Sequence, residues 1–182
     1  MADDTQIEPS SQDLSRFVTQ WDGESRPDLV PFWSRVREAL AGYVNRNAID
    51  SVLSDADRAL IDDYESAVLR HYEEDDRLMG RMREELCGRI DDLDGAGVAR
   101  EIARMDQALI ARRDARANEL VRSLSPSAAA VLLAEADKVA RLFGGANTDA
   151  VALAKEFPDY VKDRYRAQCL ALGHISPAGN DD

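Results

Sequence analysis

One histidine and two acidic residues are spaced so that they could bind a metal ion. His71, Glu74 and Asp75 occupy positions i, i+3 and i+4, which share one face of a helix. Imidazole nitrogens and carboxylate oxygens are donors that zinc accepts. Residues 73–76 are four consecutive acids, however, and such a run produces this spacing on any charged helix face. Two interpretations therefore stay open: a metal site, or a solvated acidic face that binds no metal.

A second pattern pairs an acid on one predicted helix with an arginine on the next. The chain is expected to turn back near residues 95 and 96, which places position 75 opposite position 116 in an antiparallel arrangement. Asp75 should then meet Arg116, with His71 one helical turn away. Such a pair could be buried and fix the register of two helices, could lie on a solvated face, or could belong to a functional site with a pH-responsive His71.

Motifs of familiar enzyme chemistry are absent from the sequence. It contains no GxSxG nucleophile turn, no glycine-rich phosphate loop followed by lysine, and no HExxH metal motif. We therefore expect a protein that is not an enzyme, with no catalytic residues and no cofactor.

Two long runs of apolar residues, spaced by three or four positions, predict the helices that carry these side chains. The first run follows Ser54, which forms a capping-box pattern with Asp57 and precedes a helix of roughly forty residues. Gly95 and Gly97 interrupt the periodicity, and a second run then continues to Leu124. A short glycine-containing turn between two long helices predicts an antiparallel hairpin.

Shorter helices are predicted on both sides of this hairpin. Pro31 can open a helix that ends near Asn45, Ser125 and the proline after it can open another, and Pro158 a last one that Gly173 ends. The expected fold is all-α, a long antiparallel helical hairpin with additional packed helices, about five or six in total.

The ends of the chain are expected to differ from its middle. Residues 31–173 are predicted to form a single helical domain, preceded by a mobile acidic tail at 1–30 and followed by a disordered tail at 174–182. Phe17 and Trp21 are unusual in such a tail, so they either dock on the helical body or bind a partner.

The charge balance narrows the class of partner and the location. The formal net charge is -12, so we expect no nucleic-acid partner and no membrane partner. Nucleic acids and anionic membrane surfaces bind clustered lysine and arginine. No run approaches the roughly eighteen apolar residues of a membrane span, and no leader pattern is visible, so the cytoplasm is the simplest location. Cys87 and Cys169 lie far apart without CxxC spacing and are expected to be free thiols.

The order of helix starts resembles that of a known family. Leu53-Ser54 precedes the first long run, and Leu124-Ser125-Pro126 follows the second. Residues 53–143 are thereby similar to the LTxxQ proteins of the Spy/CpxP kind. The resemblance implies helical hairpins in a curved, often dimeric cradle, which acts in that family as an ATP-independent periplasmic chaperone or, in relatives, as a metal-responsive sensor.

These observations favour a binding function. We expect a non-enzymatic helical interaction protein, adaptor or chaperone-like, that binds a protein partner through the hairpin surface. The acidic charge favours a basic or amphipathic partner, and a homodimer would bury apolar area left exposed on a thin hairpin. The alternative is a metal- or pH-responsive helical sensor that uses His71, Glu74 and Asp75.

Overall fold

The computed structural model describes residues 30–143 and 156–176 in full, together with the backbone of residues 18–19 and 147–148. The all-α class is confirmed. The described residues contain seven α-helices, against the five or six expected. They are α1 Phe32–Leu40, α2 Arg46–Asp50, α3 Asp55–Ser66, α4 Val68–Cys87, α5 Gly95–Ser123, α6 Pro126–Phe143 and α7 Pro158–Ala171, with a 3-10 turn at Ile90–Asp92.

The described backbone contains one strand pairing, which is antiparallel and two residues long. Val18–Thr19 pairs with Asn147–Thr148, with Val18 opposite Thr148. Such a short ladder has no periodic pattern that sequence reasoning could detect. None of the helices in the described residues combines the length and apolar character that crossing a membrane requires.

The first arm of the hairpin is two helices rather than one of roughly forty residues. Ala67 separates α3 from α4. The N–H of Ala67 donates to the carbonyl of Asp63, and the N–H of His71 donates to the carbonyl of Ala67. Helical hydrogen bonds thus run across the junction, and the apolar spacing continues through it. Periodicity alone could not reveal the break.

A short helix near residue 45 was not expected. Asn45, predicted to end the first helix, instead caps the start of α2, where its Oδ1 accepts a hydrogen bond from the N–H of Ala48. The first helix already ends at Leu40. Gly42 follows with φ 89°, a left-handed conformation that glycine adopts without steric cost and that commonly ends helices.

The chain divides into two compact units where the sequence predicts one domain over residues 31–173. Among the described residues, unit 1 contains Val18–Thr19, Asp76–Gln107 and everything from Asn147 onward, and unit 2 contains residues 30–75 and 108–143. The helices α4 and α5 therefore contribute to both. Contacts across the hairpin show its antiparallel register inside each unit. Arg89 lies 3.7 Å from Glu101 in unit 1, and Asp75 lies 3.1 Å from Arg116 in unit 2.

Unit 2 is built on an apolar core to which α1, α2, α3, α5 and α6 all contribute. On α6 the buried positions recur every three or four residues, so that one stripe of this helix faces inward. This core fixes α1 and α3 against α5. Its residues are Val36, Ala39, Leu40, Ile49, Ile61, Ala117, Leu120, Leu124, Ala128, Leu132, Ala136 and Val139.

Unit 1 contains a disulfide that the sequence did not predict. Cys87, at the end of α4, is bonded to Cys169 on α7, with Cα atoms 5.6 Å apart. The expectation of two free thiols is therefore wrong. Their separation of 82 residues carries no local pattern, because the pairing depends on where α7 packs. That packing is close: a Cβ on Gly95 would lie 1.8 Å from the carbonyl oxygen of Pro158.

Candidate functional site

A cluster of three arginines surrounds Asp75 in unit 2. The Asp75 carboxylate is on α4 and only 1% exposed, whereas the arginines come from neighbouring turns of α5. Arg113 Nε donates to Oδ2 at 2.8 Å, and Arg116 Nη1 donates to Oδ1 at 3.1 Å. Arg112 Nε lies 3.1 Å from Oδ1, an ion pair without hydrogen-bond alignment. The structure thus brings Asp75 and Arg116 together and adds two arginines that the register did not single out.

Glu74 extends the same cluster toward solvent. Its side chain is 40% exposed, and its Oε2 accepts hydrogen bonds from Arg112 Nη2 at 3.0 Å and Arg116 Nη2 at 3.1 Å. Guanidinium groups therefore occupy both oxygens of Asp75 and one of Glu74, and a metal cation would have to displace them. Among the described residues, no group of three or more His, Cys, Asp or Glu is arranged to hold a metal ion.

Two aromatic rings contact one of these arginines. The guanidinium carbon of Arg113 lies 4.7 Å from the ring centroid of Trp33 and 5.1 Å from that of Tyr72, which makes two cation–π contacts. Arg37 on α1 donates to the Tyr72 hydroxyl and lies 5.8 Å from the Trp33 ring. The backbone N–H of Trp33 donates to Asp114 Oδ1 at 2.8 Å, which ties the start of α1 to α5.

These side chains line a shallow recess that is open to solvent. One hydrogen-bond donor at this place has no partner: the indole Nε1 of Trp33 is buried and makes no hydrogen bond. Buried polar groups are normally paired, so this unpaired donor calls for an explanation, and an acceptor supplied by a bound partner is one. The recess is lined by Trp33, Arg37, Tyr64, Val68, His71, Tyr72, Asp75, Arg113 and Arg116.

Burial shifts the pKa of two groups in the recess. The pKa of His71 lies below its ordinary value of 6.5, first because burial disfavours the imidazolium and second because Arg116 repels it, while Glu74 opposes the shift. The pKa of Tyr64 is raised above 10.0, chiefly by burial. Both groups are therefore uncharged at neutral pH and can act as neutral hydrogen-bonding partners.

The two Leu-Ser segments of the sequence meet at one buried carboxylate. Asp57 accepts hydrogen bonds from the N–H and hydroxyl of Ser54, at 3.0 and 2.7 Å, and from those of Ser125, at 2.7 and 2.8 Å. These bonds, that from the Ser125 N–H first, hold the pKa of Asp57 far below its usual range. Asp57 therefore caps α3 and also binds the residue that precedes α6. The sequence revealed only the capping box.

Four residues of the recess were missed by sequence reasoning, the apolar Val68 among them. Trp33, Arg37 and Tyr72 stand on helices whose apolar stripe was recognised, but none of the three belongs to that stripe. A signal was present in the spacing, because a tryptophan and an arginine four residues apart share one face of α1. The partner-binding candidates Phe17 and Trp21 lie outside the described residues.

Comparisons of the chain with protein-family models, with curated proteins and with solved structures find no match. The similarity of residues 53–143 to the Spy/CpxP-like proteins therefore stays a prediction. The recess and its arginine cluster are the features of the described residues that bear on function.

Proposed function

We propose that this chain is a non-enzymatic interaction protein that binds a protein partner through the part of the hairpin surface that carries the recess. The observation that supports it is the composition of the recess wall, where Trp33, Tyr64 and Tyr72 stand beside Arg37. Tryptophan, tyrosine and arginine dominate the binding energy of protein interfaces, especially where they surround a pocket. Enzymatic activity is not part of the proposal.

The rigidity of the recess supports the same proposal. Arg113 is held by a hydrogen bond to Asp75 and by cation–π contacts with two rings, and Arg116 bridges two carboxylates. Side chains that are already held lose little conformational freedom when a partner arrives, so more of the contact energy appears as affinity. Arg37 is the most exposed of the lining arginines, at 44% of its side chain, and its Nη2 lies 3.2 Å from Glu38 Oε1.

Exposed apolar side chains of unit 2 add surface that a partner could bury. Leu69, next to the recess residue Val68, is 76% exposed. Tyr43 and Phe143 contact each other edge to face, with ring centroids 5.5 Å apart, and both are about half exposed. Together with the net charge of -12, this surface favours a basic or amphipathic partner. A second copy of the chain is one such partner, and light scattering at two concentrations tests that homodimer.

Site-specific photo-crosslinking tests the proposed function. A photoreactive amino acid at position 69 of the full chain, expressed in its native host, is expected to capture a discrete protein that mass spectrometry identifies. The same amino acid at Arg122, an exposed position outside the recess, serves as the matched control. If position 69 captures nothing, or captures the same proteins as position 122, the recess is not the interaction surface.

A pH-responsive sensor is the second candidate, because His71 lines the recess beside Arg116 and Glu74. Protonation would place a further positive charge next to the lining arginines and change what the recess binds. Crosslinking from position 69 at pH 7.5 and at pH 5.5 tests it, with His71→Asn as the variant in which the pH effect should disappear. The metal-responsive form finds no support, since arginines occupy the carboxylates.

The location and the chaperone-like role also remain proposals. The cytoplasm stays a prediction, and the disulfide between Cys87 and Cys169 argues against it, because disulfides persist in oxidising compartments and are rare in reducing ones. A periplasmic chaperone, as the resemblance implies, would agree with an oxidising location. Alkylation of the two thiols in intact cells, followed by mass spectrometry, measures their state.

A further inference from the structure

We infer that the recess of unit 2 binds a carboxylate, supplied by an acidic residue of a peptide segment in the partner and held beside Arg37 and Trp33. The inference rests on the proposed function and names the chemistry that the same surface recognises.

The hydrogen-bonding groups of the recess are almost all donors. Its only carboxylate, Asp75, already faces three arginines, two of which donate to it. A guanidinium has five N–H groups and no acceptor. Arg37 donates to the Tyr72 hydroxyl, which leaves that hydroxyl its own proton to donate, and the Trp33 indole N–H is unpaired. A ligand that fits these groups must supply acceptor oxygens.

The charges around the recess select a singly charged acceptor. Five arginines face four acids, which leaves a surplus of one positive charge, enough for a singly charged ligand but not for a doubly charged phosphate. A planar carboxylate carries one charge and matches the two parallel N–H groups that an arginine can offer. The groups counted are Arg37, Arg70, Arg112, Arg113 and Arg116 against Glu38, Glu74, Asp75 and Asp114.

The remaining wall of the recess selects what stands next to the carboxylate. Trp33, Tyr64 and Val68 present apolar surface between the polar groups. A small free anion would leave that surface exposed to water, whereas a peptide can place an apolar side chain on it. The ligand class that fits both parts is an acidic residue adjacent to an apolar or aromatic one in an amphipathic segment. Recognition of this kind is local and does not depend on the sign of the net charge.

Peptide selection on the full-length oxidised protein tests the inference. Short random peptides displayed on phage are selected against the immobilised chain, and the strongest binder is compared with its Glu→Gln or Asp→Asn counterpart by fluorescence anisotropy. We expect acidic residues beside apolar ones to be enriched, and the amide counterpart to bind about tenfold more weakly, the typical loss of a charge-assisted hydrogen bond. Arg37→Gln should lower the affinity for the acidic peptide by a similar factor and the affinity for the amide peptide only slightly. Arg122→Gln should change neither affinity.

Four results would overturn the inference. Equal affinity for the acidic peptide and its amide counterpart, or equal weakening of both by Arg37→Gln, would remove the carboxylate while leaving peptide binding, and hence the proposed function, in place. Displacement of the peptide by inorganic phosphate at lower concentration than by glutarate would assign the recess to phosphate. If no selected peptide binds more tightly than about 1 mM, the recess does not take a peptide carboxylate. Crosslinking from position 69 then decides the proposed function separately.

Discussion

Removal of the charge at position 75 should destabilise the protein strongly. Asp75→Asn keeps the size of the side chain but deprives Arg113 and Arg116 of a charged acceptor. Breaking a buried ion pair by removing one partner costs about 3–5 kcal/mol. Because these two arginines are 20% and 17% exposed and Arg116 keeps Glu74, water and the second acid compensate part of the loss. The expected decrease in the free energy of unfolding is about 2–3 kcal/mol.

Urea-induced unfolding, followed by far-ultraviolet circular dichroism, measures this decrease. The urea concentration at the midpoint of unfolding should fall, while the slope of the unfolding free energy against urea concentration stays constant. Glu74→Gln is the matched control on the adjacent residue. Its carboxylate touches two of the same arginines but is 40% exposed, so its loss should be under about 1 kcal/mol. A double-mutant cycle of Asp75→Asn with Arg116→Ala should show a coupling of about 1–2 kcal/mol.

The outcome that refutes this reasoning is a loss below about 1 kcal/mol for Asp75→Asn with an unchanged slope. The carboxylate would then be as well solvated in the folded protein as in the unfolded one, and the arginines would not depend on it. A large loss with zero coupling to Arg116 would instead assign the stabilisation to Arg113 and its aromatic neighbours.

Further predictions concern single positions in each unit. The lowered pKa of Asp57 stabilises the fold fully above the ordinary value of 3.8, and this stabilisation is lost progressively as the pH falls from 3.8 through the much lower pKa of the folded state. Asp57→Asn should therefore melt lower than the parent at pH 7, and the difference should begin to narrow below about pH 4 and still be present at pH 3. The pKa of His71 is lowered in the folded protein, so the unfolded state takes up a proton at a higher pH than the folded state does. The free energy of unfolding should therefore decrease as the pH falls below 6.5. The urea midpoint of His71→Asn should lack this pH dependence. Gly95→Ala should destabilise the protein by about 1–3 kcal/mol, because the added Cβ would meet the Pro158 backbone. Gly80→Ala, which has open space around it, should stabilise the protein by about 0.5–1 kcal/mol. Equal effects of the two substitutions in urea unfolding would contradict the packing of α7.

The helix starts and the register of the hairpin could be predicted because their causes are local. Ser54 and its capping box depend on four consecutive residues, and the turn near Gly95 depends on two glycines within three positions. From that turn alone, an antiparallel arrangement places Asp75 opposite Arg116, and the two are 3.1 Å apart. Arg113 was out of reach of this argument, because a side chain that leans along its helix contacts residues a turn away from the opposite position.

The rest could not be predicted because it depends on contacts between distant segments. The disulfide partner of Cys87 is set by the packing of α7, and the second pair of donors to Asp57 comes from Ser125, 68 residues away. The walls of the recess have the same origin. Trp33 reaches Arg113 only because the apolar core fixes α1 against α5. Patterns within one helix carry no information about which other helix will cover it.

In the proposed site, stability and recognition depend on different members of one cluster of charges. Asp75 is buried and accepts hydrogen bonds from Arg113 and Arg116, whereas the exposed Arg37 is the group proposed to meet a ligand. Asp75→Asn should therefore reduce both stability and peptide affinity, since the arginines lose their fixed positions. Arg37→Gln should reduce peptide affinity with little loss of stability, because the ion pairs of an exposed side chain contribute little to stability. The contacts that it would lose are those with Glu38, Tyr72 and the Trp33 ring. If Arg37→Gln destabilised the fold as much as Asp75→Asn, the outer arginine would belong to the structural cluster, and the recess would have no group reserved for a partner.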